Sequence, residues 1–248
     1  MHLYCTGWSQ VLQGCEKTKT LTDLQRGRRL TWCKNWSQFD FKKVIFSDEK
    51  RFCRLGDGPT RVWRREGERY VQKFTTPTTK HKGGSVMVWG CISYEGLGPL
   101  IRCSDPMNQE EYKVQGTFCF QTFPEIKILS SMLQAFPRLR SRATNHPILQ
   151  HDNAACHTAG GVETFLRAKN VTLLPWPALS PDLSPIENVS GYIAKKMVGK
   201  CFLSKDDVWA EVQKQWAEVP LAYIHSLYDS MPSRLLAVQQ AKGHPTKY

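Results

Sequence analysis

Apolar residues are concentrated in short runs along the chain, and polar residues, glycine or proline separate these runs. Short apolar runs that contain β-branched residues are typical of strands buried in a sheet. They predict strands over residues 43–52, 85–93, 146–152 and 171–174, and a shorter strand at Leu100-Ile101 after a turn at 96–99. A polar, glycine-containing turn between two further short runs predicts a hairpin over residues 61–71.

Apolar positions three or four residues apart mark segments of a second kind, in which one face of a helix is buried. They predict helices over residues 158–169, 184–200 and 206–216, followed by a helical, basic tail up to Gly243. The helix over 184–200 has Ser184 as its N-cap and Pro185 as its first residue. Its predicted buried face consists of Ile186, Val189, Ile193 and Met197.

A helix near the start of the chain is predicted from the capping pair Thr22-Asp23 towards Trp36. Leu24, Trp32 and Trp36 are expected to face the core, with Arg26, Arg28 and Arg29 around them. The alternation of strands and helices later in the chain predicts an α/β fold with a mixed sheet. Residues 113–145 show no sustained period, and they are either an irregular insertion or the product of an altered reading frame or splice event.

Three acidic residues stand where predicted elements end or begin. Asp48 and Asp152 each follow an apolar run, and Glu187 lies at the start of the helix over 184–200. Carboxylates at such positions suit a hard cation such as Mg²⁺, which prefers oxygen ligands.

Each acid also has a purely structural interpretation. Asp48 would begin a solvated turn, Asp152 would form an Asx turn, and Glu187 would complete a capping box with Ser184. Asp182, in the loop before Glu187, is interpreted as a loop cap.

Four motifs follow one another along the chain: Phe46-Ser47-Asp48-Glu49, Val88-Trp89-Gly90, Gln150-His151-Asp152-Asn153 and Ser180-Pro181-Asp182-Leu183-Ser184-Pro185-Ile186-Glu187-Asn188. In this order and at this spacing they resemble the catalytic domains of DDE transposases of the Tc1/mariner superfamily. The branch that they resemble has Asp and Glu as its last two catalytic acids with 34 residues between them, as between Asp152 and Glu187. The ending over 230–248 is similar to that branch as well, and the resemblance covers roughly residues 20–112 and 146–248.

The resemblance implies a ribonuclease H-like fold, a mixed sheet flanked by helices, in which Asp48, Asp152 and Glu187 are catalytic and metal-ligating residues. It further implies two bound Mg²⁺ or Mn²⁺ ions, strand cleavage by water, and attack of the freed 3′-hydroxyl on target DNA. Asp48 and Asp152 should then end adjacent strands of one sheet with their side chains on the same side, and Glu187 should point at them. The chain departs from the family pattern at Val189-Ser190, where relatives have Leu-Trp, and at Ala155, where they have proline.

The charge of the chain favours a polyanionic partner. It has 34 Lys and Arg against 22 Asp and Glu, a formal net charge of +12, and such a balance indicates nucleic acid first. With the resemblance, the expected partner is double-stranded DNA, both transposon ends and target. Solvated surface charge is the equal alternative for the hairpin and for the helix lysines. The candidate DNA contacts are Arg61, Arg64, Arg65, Lys80, Lys82, His157, Lys195 and Lys196.

Domain organisation follows from the same resemblance. Residues 1–40 are expected to be the remnant of a linker to a missing N-terminal DNA-binding region, 41–200 the catalytic domain, and 201–248 a C-terminal helical tail. Relatives act as dimers, so a homodimer is expected. Two alternatives stay open: a truncated or domesticated relic that binds DNA non-specifically without cutting, and a ribonuclease H-like nuclease unrelated to transposition.

Cysteine usage bears on the compartment. The nine cysteines include no Cys-x-x-Cys pair, and the N-terminus has no apolar segment long enough for a signal peptide. We therefore expect reduced thiols without a zinc site in an intracellular protein, which would be nuclear in a eukaryote.

Overall fold

The strands of the chain form one sheet with both antiparallel and parallel pairs. The computed structural model describes residues 21–54, 84–103, 132, 135–136, 147–152, 164 and 166–248. Its strands are β1 Val44–Cys53, β2 Ser85–Ser93, β3 Gly96–Cys103, β4 Ile148–Gln150 and β5 Thr172–Leu173. Within the described residues these five strands pair in the order β3-β2-β1-β4-β5.

The direction of pairing changes at β1. β1 pairs antiparallel with β2, and β2 antiparallel with β3, whereas β1 and β4, like β4 and β5, are parallel. The last parallel pair of β1 and β4 is Phe46 with Gln150, and β1 then continues along β2 as far as Cys53. The predicted α/β fold with a mixed sheet is confirmed.

Helices follow most of the predicted segments. They are α1 Asp23–Asn35, α2 Pro185–Met197, α3 Lys205–Ala217, α4 Leu221–Asp229 and α5 Met231–Gln240, with 3₁₀ turns at Phe41–Lys43 and Pro181–Leu183. In α1 the cap is reciprocal, because the Gln25 N–H donates to Thr22 Oγ1 and the Thr22 N–H donates to Gln25 Oε1. Both bonds satisfy amides that the helix leaves without an internal partner.

Side-chain alternation along β1 divides the core between the two faces of the sheet. Phe46 and Phe52 belong to a large cluster that includes the buried faces of α2, α3, α4 and α5. Ile45, whose side chain points to the other face of the sheet, belongs to a second cluster with Trp89, Leu149 and Leu166. The predicted buried face of α2 is confirmed, since Ile186, Val189, Ile193 and Met197 all lie in the first cluster.

The orientation of α1 differs from the expectation. Trp32 is buried and Trp36 packs against the core as predicted, but Leu24 is 64% exposed and Arg29 is fully buried. The prediction for Leu24 and Arg29 was therefore wrong. Burial of an arginine requires partners for its charge and its donors, and those of Arg29 come from distant parts of the chain.

The predicted turn at 96–99 is wrong as well. β3 begins at Gly96 and includes Gly98 and Pro99, so the reversal of direction occurs just before Gly96. Pro99 is compatible with β3 because β3 is at the edge of the described sheet, where one side of the strand needs no ladder partner.

Several predictions lie outside the described residues. They are the hairpin over 61–71, the candidates Arg61, Arg64, Arg65, Lys80, Lys82 and His157, nearly all of 113–145, and the first half of the helix over 158–169. The described residues 164 and 166–168 of that last segment are helical. Of residues 113–145, Met132 and Phe136 are described and are buried in the second cluster. Among the residues that are described, no helix has the length and apolarity that a bilayer crossing requires.

Candidate active site

Asp48 lies inside β1 rather than at its end. Because side chains alternate along a strand, Asp48 faces the same side of the sheet as Phe46, the side against which α2 packs. The expectation that Asp48 ends its strand is wrong in this detail, since β1 continues to Cys53 in pairing with β2. The parallel pairing with β4, however, does stop just before Asp48.

Asp152 follows β4, the strand next to β1. Phe46 and Gln150 form the last parallel pair; Asp48 lies two residues after Phe46, and Asp152 two residues after Gln150. This equal spacing brings Asp48 and Asp152 to the same level of the sheet. Ser47 Oγ also donates to the Gln150 carbonyl oxygen at 3.0 Å, which joins the two segments beyond the last paired residues.

Glu187 lies in the first turn of α2, and the capping-box interpretation of this residue does not hold. The Ser184 side chain makes no capping bond, and its N–H donates to the Pro181 carbonyl oxygen at 3.0 Å. Ser184 Oγ instead donates to Gln150 Oε1 at 3.5 Å. The N-cap side chain is therefore directed towards β4, and the Glu187 carboxylate is not engaged in a reciprocal cap.

The three acids open into one cavity of about 460 Å³. Asp48, Asp152 and Glu187 line it together with the polar side chains of Ser47, Gln150 and Ser184. The rest of the lining comes from the segment after β5 and is mostly apolar, including Trp176, Pro177 and Leu179. The structure thus brings together the three carboxylates that are far apart in sequence, and the expected convergence of β1, β4 and α2 is present.

The electrostatics of the site are most evident at Asp48, which is buried and has acidic neighbours. Burial, followed by the charges of Glu187, Glu49 and Asp152, raises the pKa of Asp48 to about 7. A hydrogen bond from the Glu49 backbone amide acts in the opposite direction. A cation in the cavity would also act in that opposite direction and favour the ionised form of Asp48.

The donor set of this cavity fits a divalent metal ion. Three carboxylates supply the oxygen ligands that Mg²⁺ and Mn²⁺ prefer, and their mutual repulsion, visible in the raised pKa of Asp48, is what a cation would relieve. In the described part of the chain, no three His, Cys, Asp or Glu side chains are gathered closely enough to hold an ion as they stand. The acids share a cavity without forming a closed ligand set.

Of the residues predicted to contact DNA, two are described. Lys195 and Lys196 are exposed in the last turn of α2, and the Lys196 Nζ lies 5.7 Å from the centre of the Tyr192 ring. They share a helix with Glu187 but do not line the cavity.

Sequence reasoning missed the support beneath the site. Asp182 is a buried carboxylate that accepts two hydrogen bonds from Arg29, at 2.9 and 2.7 Å, rather than a loop cap. Arg234, also buried, donates to the Asp182 carbonyl oxygen. The sequence contains no local signal for these bonds, because their partners are separated by 153 and 52 positions.

Comparison with known proteins gives a consistent answer. Residues 43–208 match the DDE superfamily endonuclease family. The transposase of the transposable element Tcb1 from Caenorhabditis briggsae is 35% identical over 235 residues, which cover 93% of this chain and 81% of that protein. The Tc1 transposase from Caenorhabditis elegans is 34% identical over 236 residues, covering 94% and 81%.

Solved structures agree on the fold. The Mos1 transposase paired-end complex with the left transposon end superposes with a TM-score of 0.74 at 19% identity, covering 96% of this chain and 67% of that one. The catalytic domain of Mos1 mariner transposase gives 0.68 at 18% identity, covering 92% and 98%. The ribonuclease H-like fold is confirmed, and the chain belongs to the Tc1/mariner superfamily of DDE transposases, of which it contains the DNA-cleaving catalytic domain.

Proposed function

We propose that Asp48, Asp152 and Glu187 are the catalytic and metal-ligating residues with which this chain cuts DNA and joins the freed end to a target. The observation that carries the proposal is the single cavity lined by all three carboxylates, from β1, the end of β4 and the first turn of α2. The order and spacing of these acids match the family motif, and the family match covers all three positions.

A divalent cation, Mg²⁺ or Mn²⁺ and two ions in the full site, is part of the proposal. Solved structures of Mos1 include paired-end complexes with Mg and with Mn. Such ions neutralise phosphate charge and lower the pKa of water, which is the chemistry that phosphodiester cleavage requires. In this chain Asp48, Asp152 and Glu187 are the residues that would hold the ions.

The chain's own residues divide the remaining work. Asp48, with its pKa near 7, releases a proton when positive charge enters the cavity, so ion binding should be coupled to proton release. The bond from Ser47 to Gln150 holds the end of β4 against β1, which limits the distance between the Asp48 and Asp152 carboxylates. The apolar wall at Trp176 and Leu179 excludes water from one side of the bound phosphate.

DNA is the proposed partner, and its binding should depend mainly on phosphate contacts. The net charge of +12 supplies a general attraction, and solved Mos1 structures include complexes with transposon ends. Lys195 and Lys196 are the described candidates for backbone contact. A homodimer holding two DNA ends, acting in the nucleus of a eukaryotic host, completes the proposal.

The proposal is tested with the 248-residue chain and two substrates, supercoiled plasmid and a pre-nicked duplex carrying the terminal repeat of the element. We expect Mg²⁺- or Mn²⁺-dependent nicking of the plasmid and strand transfer of the duplex, both abolished by Asp152→Asn. Activity that persists in Asp152→Asn would refute the assignment of the acids. A wild-type chain that binds DNA but cuts neither substrate under any metal condition would instead support the relic interpretation.

A further inference from the structure

Beneath the loop that leads to Glu187 lie two buried arginines and one buried aspartate. Arg29, Asp182 and Arg234 are each at most 5% exposed, and they come from α1, the 3₁₀ turn before α2, and α5. Burial of three charged groups is unfavourable unless each is paired and hydrogen-bonded. The hydrogen-bond partners of these three residues show which segments of the chain they hold together.

Arg29 fixes the start of the loop. Its two terminal nitrogens donate to both carboxylate oxygens of Asp182, and Nη1 also donates to the Leu179 carbonyl oxygen at 3.1 Å. Leu179 has a φ of +54°, which is unfavourable for a residue with a bulky side chain. A left-handed Leu persists only where its surroundings hold it, and the bond from Arg29 supplies part of that constraint at the wall of the catalytic cavity.

Arg234 forms hydrogen bonds with residues before and after Glu187 in the sequence. Its Nη1 donates to the Asp182 carbonyl oxygen at 2.9 Å, and its Nη2 donates to Asn188 Oδ1 at 2.7 Å. One guanidinium therefore binds the 3₁₀ turn and the first turn of α2, with Glu187 between the two contacts. The planar fork of an arginine is suited to this because its donors have a fixed relative geometry.

The last residues of the chain, 243–248, here called the C-terminal tail, complete the arrangement. The Thr246 N–H and Oγ1 both donate to Asp182 Oδ2, at 2.9 and 3.0 Å, and Arg29 Nε donates to the Gly243 carbonyl oxygen at 3.0 Å. Gly243 has a φ of +83°, and a Cβ there would collide with the backbone of Arg26. Only glycine fits this close approach, so the tail follows one defined path across α1 to Asp182.

We infer that Arg29, Asp182, Arg234 and Thr246 are positioning residues that set the location of the Glu187 carboxylate relative to Asp48 and Asp152. The C-terminal tail is then a supporting part of the active site, although it lies outside the matched family region, which ends at residue 208. The inference rests on the proposed function, in which Glu187 is a metal ligand. Outer residues that orient metal ligands change metal affinity or activity by about 10- to 100-fold when they are altered.

The test uses the full chain without DNA, titrated with Mn²⁺ and followed by calorimetry and by the rise in unfolding temperature. Asp182→Asn removes the carboxylate charge that accepts hydrogen bonds from Arg29 and Thr246. Thr246→Val removes one donor while keeping the shape of the side chain. We expect the Mn²⁺ dissociation constant to rise about tenfold for Asp182→Asn and by a smaller factor for Thr246→Val. Thr246→Ser, which keeps the hydroxyl donor, should bind Mn²⁺ like the wild type.

A matched control separates positioning from general stability. Val212→Ala creates a cavity in the core under α3, a helix that does not contribute to the cavity of the acids. It should lower the unfolding temperature without changing Mn²⁺ affinity or the turnover number on pre-nicked duplex. With Asp182→Asn and Thr246→Val, the turnover number should fall while the KM for DNA stays near its wild-type value.

Two results would overturn the inference, and they differ from each other. If Asp182→Asn and Thr246→Val bind Mn²⁺ as tightly as the wild type and lose only stability, like Val212→Ala, the buried network is structural and the inference is wrong. If the wild type itself binds no Mn²⁺ and Asp152→Asn changes nothing, the proposed function has failed and the inference falls with it. Should Asp182→Asn fail to fold, the pair Thr246→Val and Thr246→Ser decides.

Discussion

Asp48 and Asp152 are held in a different way from Glu187, although all three face one cavity. The first two belong to adjacent segments of a sheet, and their relative position follows from backbone pairing between β1 and β4. Glu187 lies at a helix start that approaches the sheet through a loop, and side-chain bonds from Arg29 and Arg234 hold that loop. Backbone pairing tolerates most substitutions nearby, whereas a side-chain network depends on single residues.

The comparison also separates rigid from adjustable parts of the site. The sheet fixes two carboxylates close enough for their charges to interact, and part of the raised pKa of Asp48 records that interaction. The third carboxylate is attached to an element whose position depends on α1, α5 and the tail. We therefore expect the helix side of the site, rather than the sheet side, to decide how well an ion is held.

The largest expected effect is loss of catalysis in Glu187→Gln. Outer residues of metal sites already contribute about 10- to 100-fold, so removal of a direct ligand charge should lower the turnover number by more than about 100-fold. The measurement is Mn²⁺-dependent strand transfer on pre-nicked duplex. Glu218→Gln, at an exposed glutamate that caps the end of α3, is the control and should keep full activity. A Glu187→Gln variant with near-normal turnover would remove Glu187 from the ligand set.

The next largest effect is a loss of stability when the buried side-chain network near Glu187 is broken. Arg29→Met leaves Asp182 buried without its main partner, and loss of one member of a buried ion pair costs about 3–5 kcal/mol of unfolding free energy. Lys200→Met breaks the exposed pair with Glu211 and should cost less than about 1 kcal/mol. Denaturant unfolding of both variants measures the difference. Equal, small losses would mean that the Arg29–Asp182 pair contributes no more than a surface pair.

For Asp48, on the sheet, we expect a substitution to increase stability rather than to lower it. The pKa of Asp48 is about 7 in the folded chain and near 3.9 when unfolded. The unfolded state therefore ionises first, and the folded state loses stability as pH rises from about 4 to about 7. Asp48→Asn removes this titration, so at pH 8 without metal it should be more stable than the wild type by on the order of 2–4 kcal/mol.

That gain should fall to about 0.5 kcal/mol near pH 4, where Asp48 is protonated in the folded state and about half protonated in the unfolded state. Denaturant unfolding at pH 4, 6 and 8 in the presence of a chelator measures the profile. Addition of Mn²⁺ at pH 8 should stabilise the wild type and leave Asp48→Asn almost unchanged, which reverses the order of stability. A pH-independent difference between the two proteins would show that charge at Asp48 is not the cause.

The smallest expected effect concerns DNA affinity. Each lysine that contacts a phosphate contributes about one unit to the slope of log affinity against log salt concentration. Lys195→Ala and Lys196→Ala should each lower that slope by about one unit or less, without changing sequence preference. Lys214→Ala, on α3, serves as the control. An unchanged slope in both α2 variants would assign the two lysines to the solvated surface.

Much of the fold could be predicted from the sequence because its signals are local. The apolar runs located β1, β2, β4 and β5, and the periodic spacing located α2 and α3, with errors of a few residues at the ends. The start of β3 was misplaced because glycine and proline in sequence indicate a turn, while an edge strand accepts both. The three candidate acids of the site were found from the order and spacing of the motifs, and these can be identified without a tertiary structure.

What the sequence by itself determined was the set of elements, the mixed sheet and the three candidate acids, since each is encoded in contiguous residues or in spacing along the chain. Only the tertiary structure decided that Arg29 is buried while Leu24 is exposed. It also decided that the Ser184 hydroxyl donates to Gln150 rather than capping α2. It also decided that Asp182 anchors the tail. The physical reason is that a charged or polar side chain is buried only where distant partners satisfy it, and local sequence does not contain those partners.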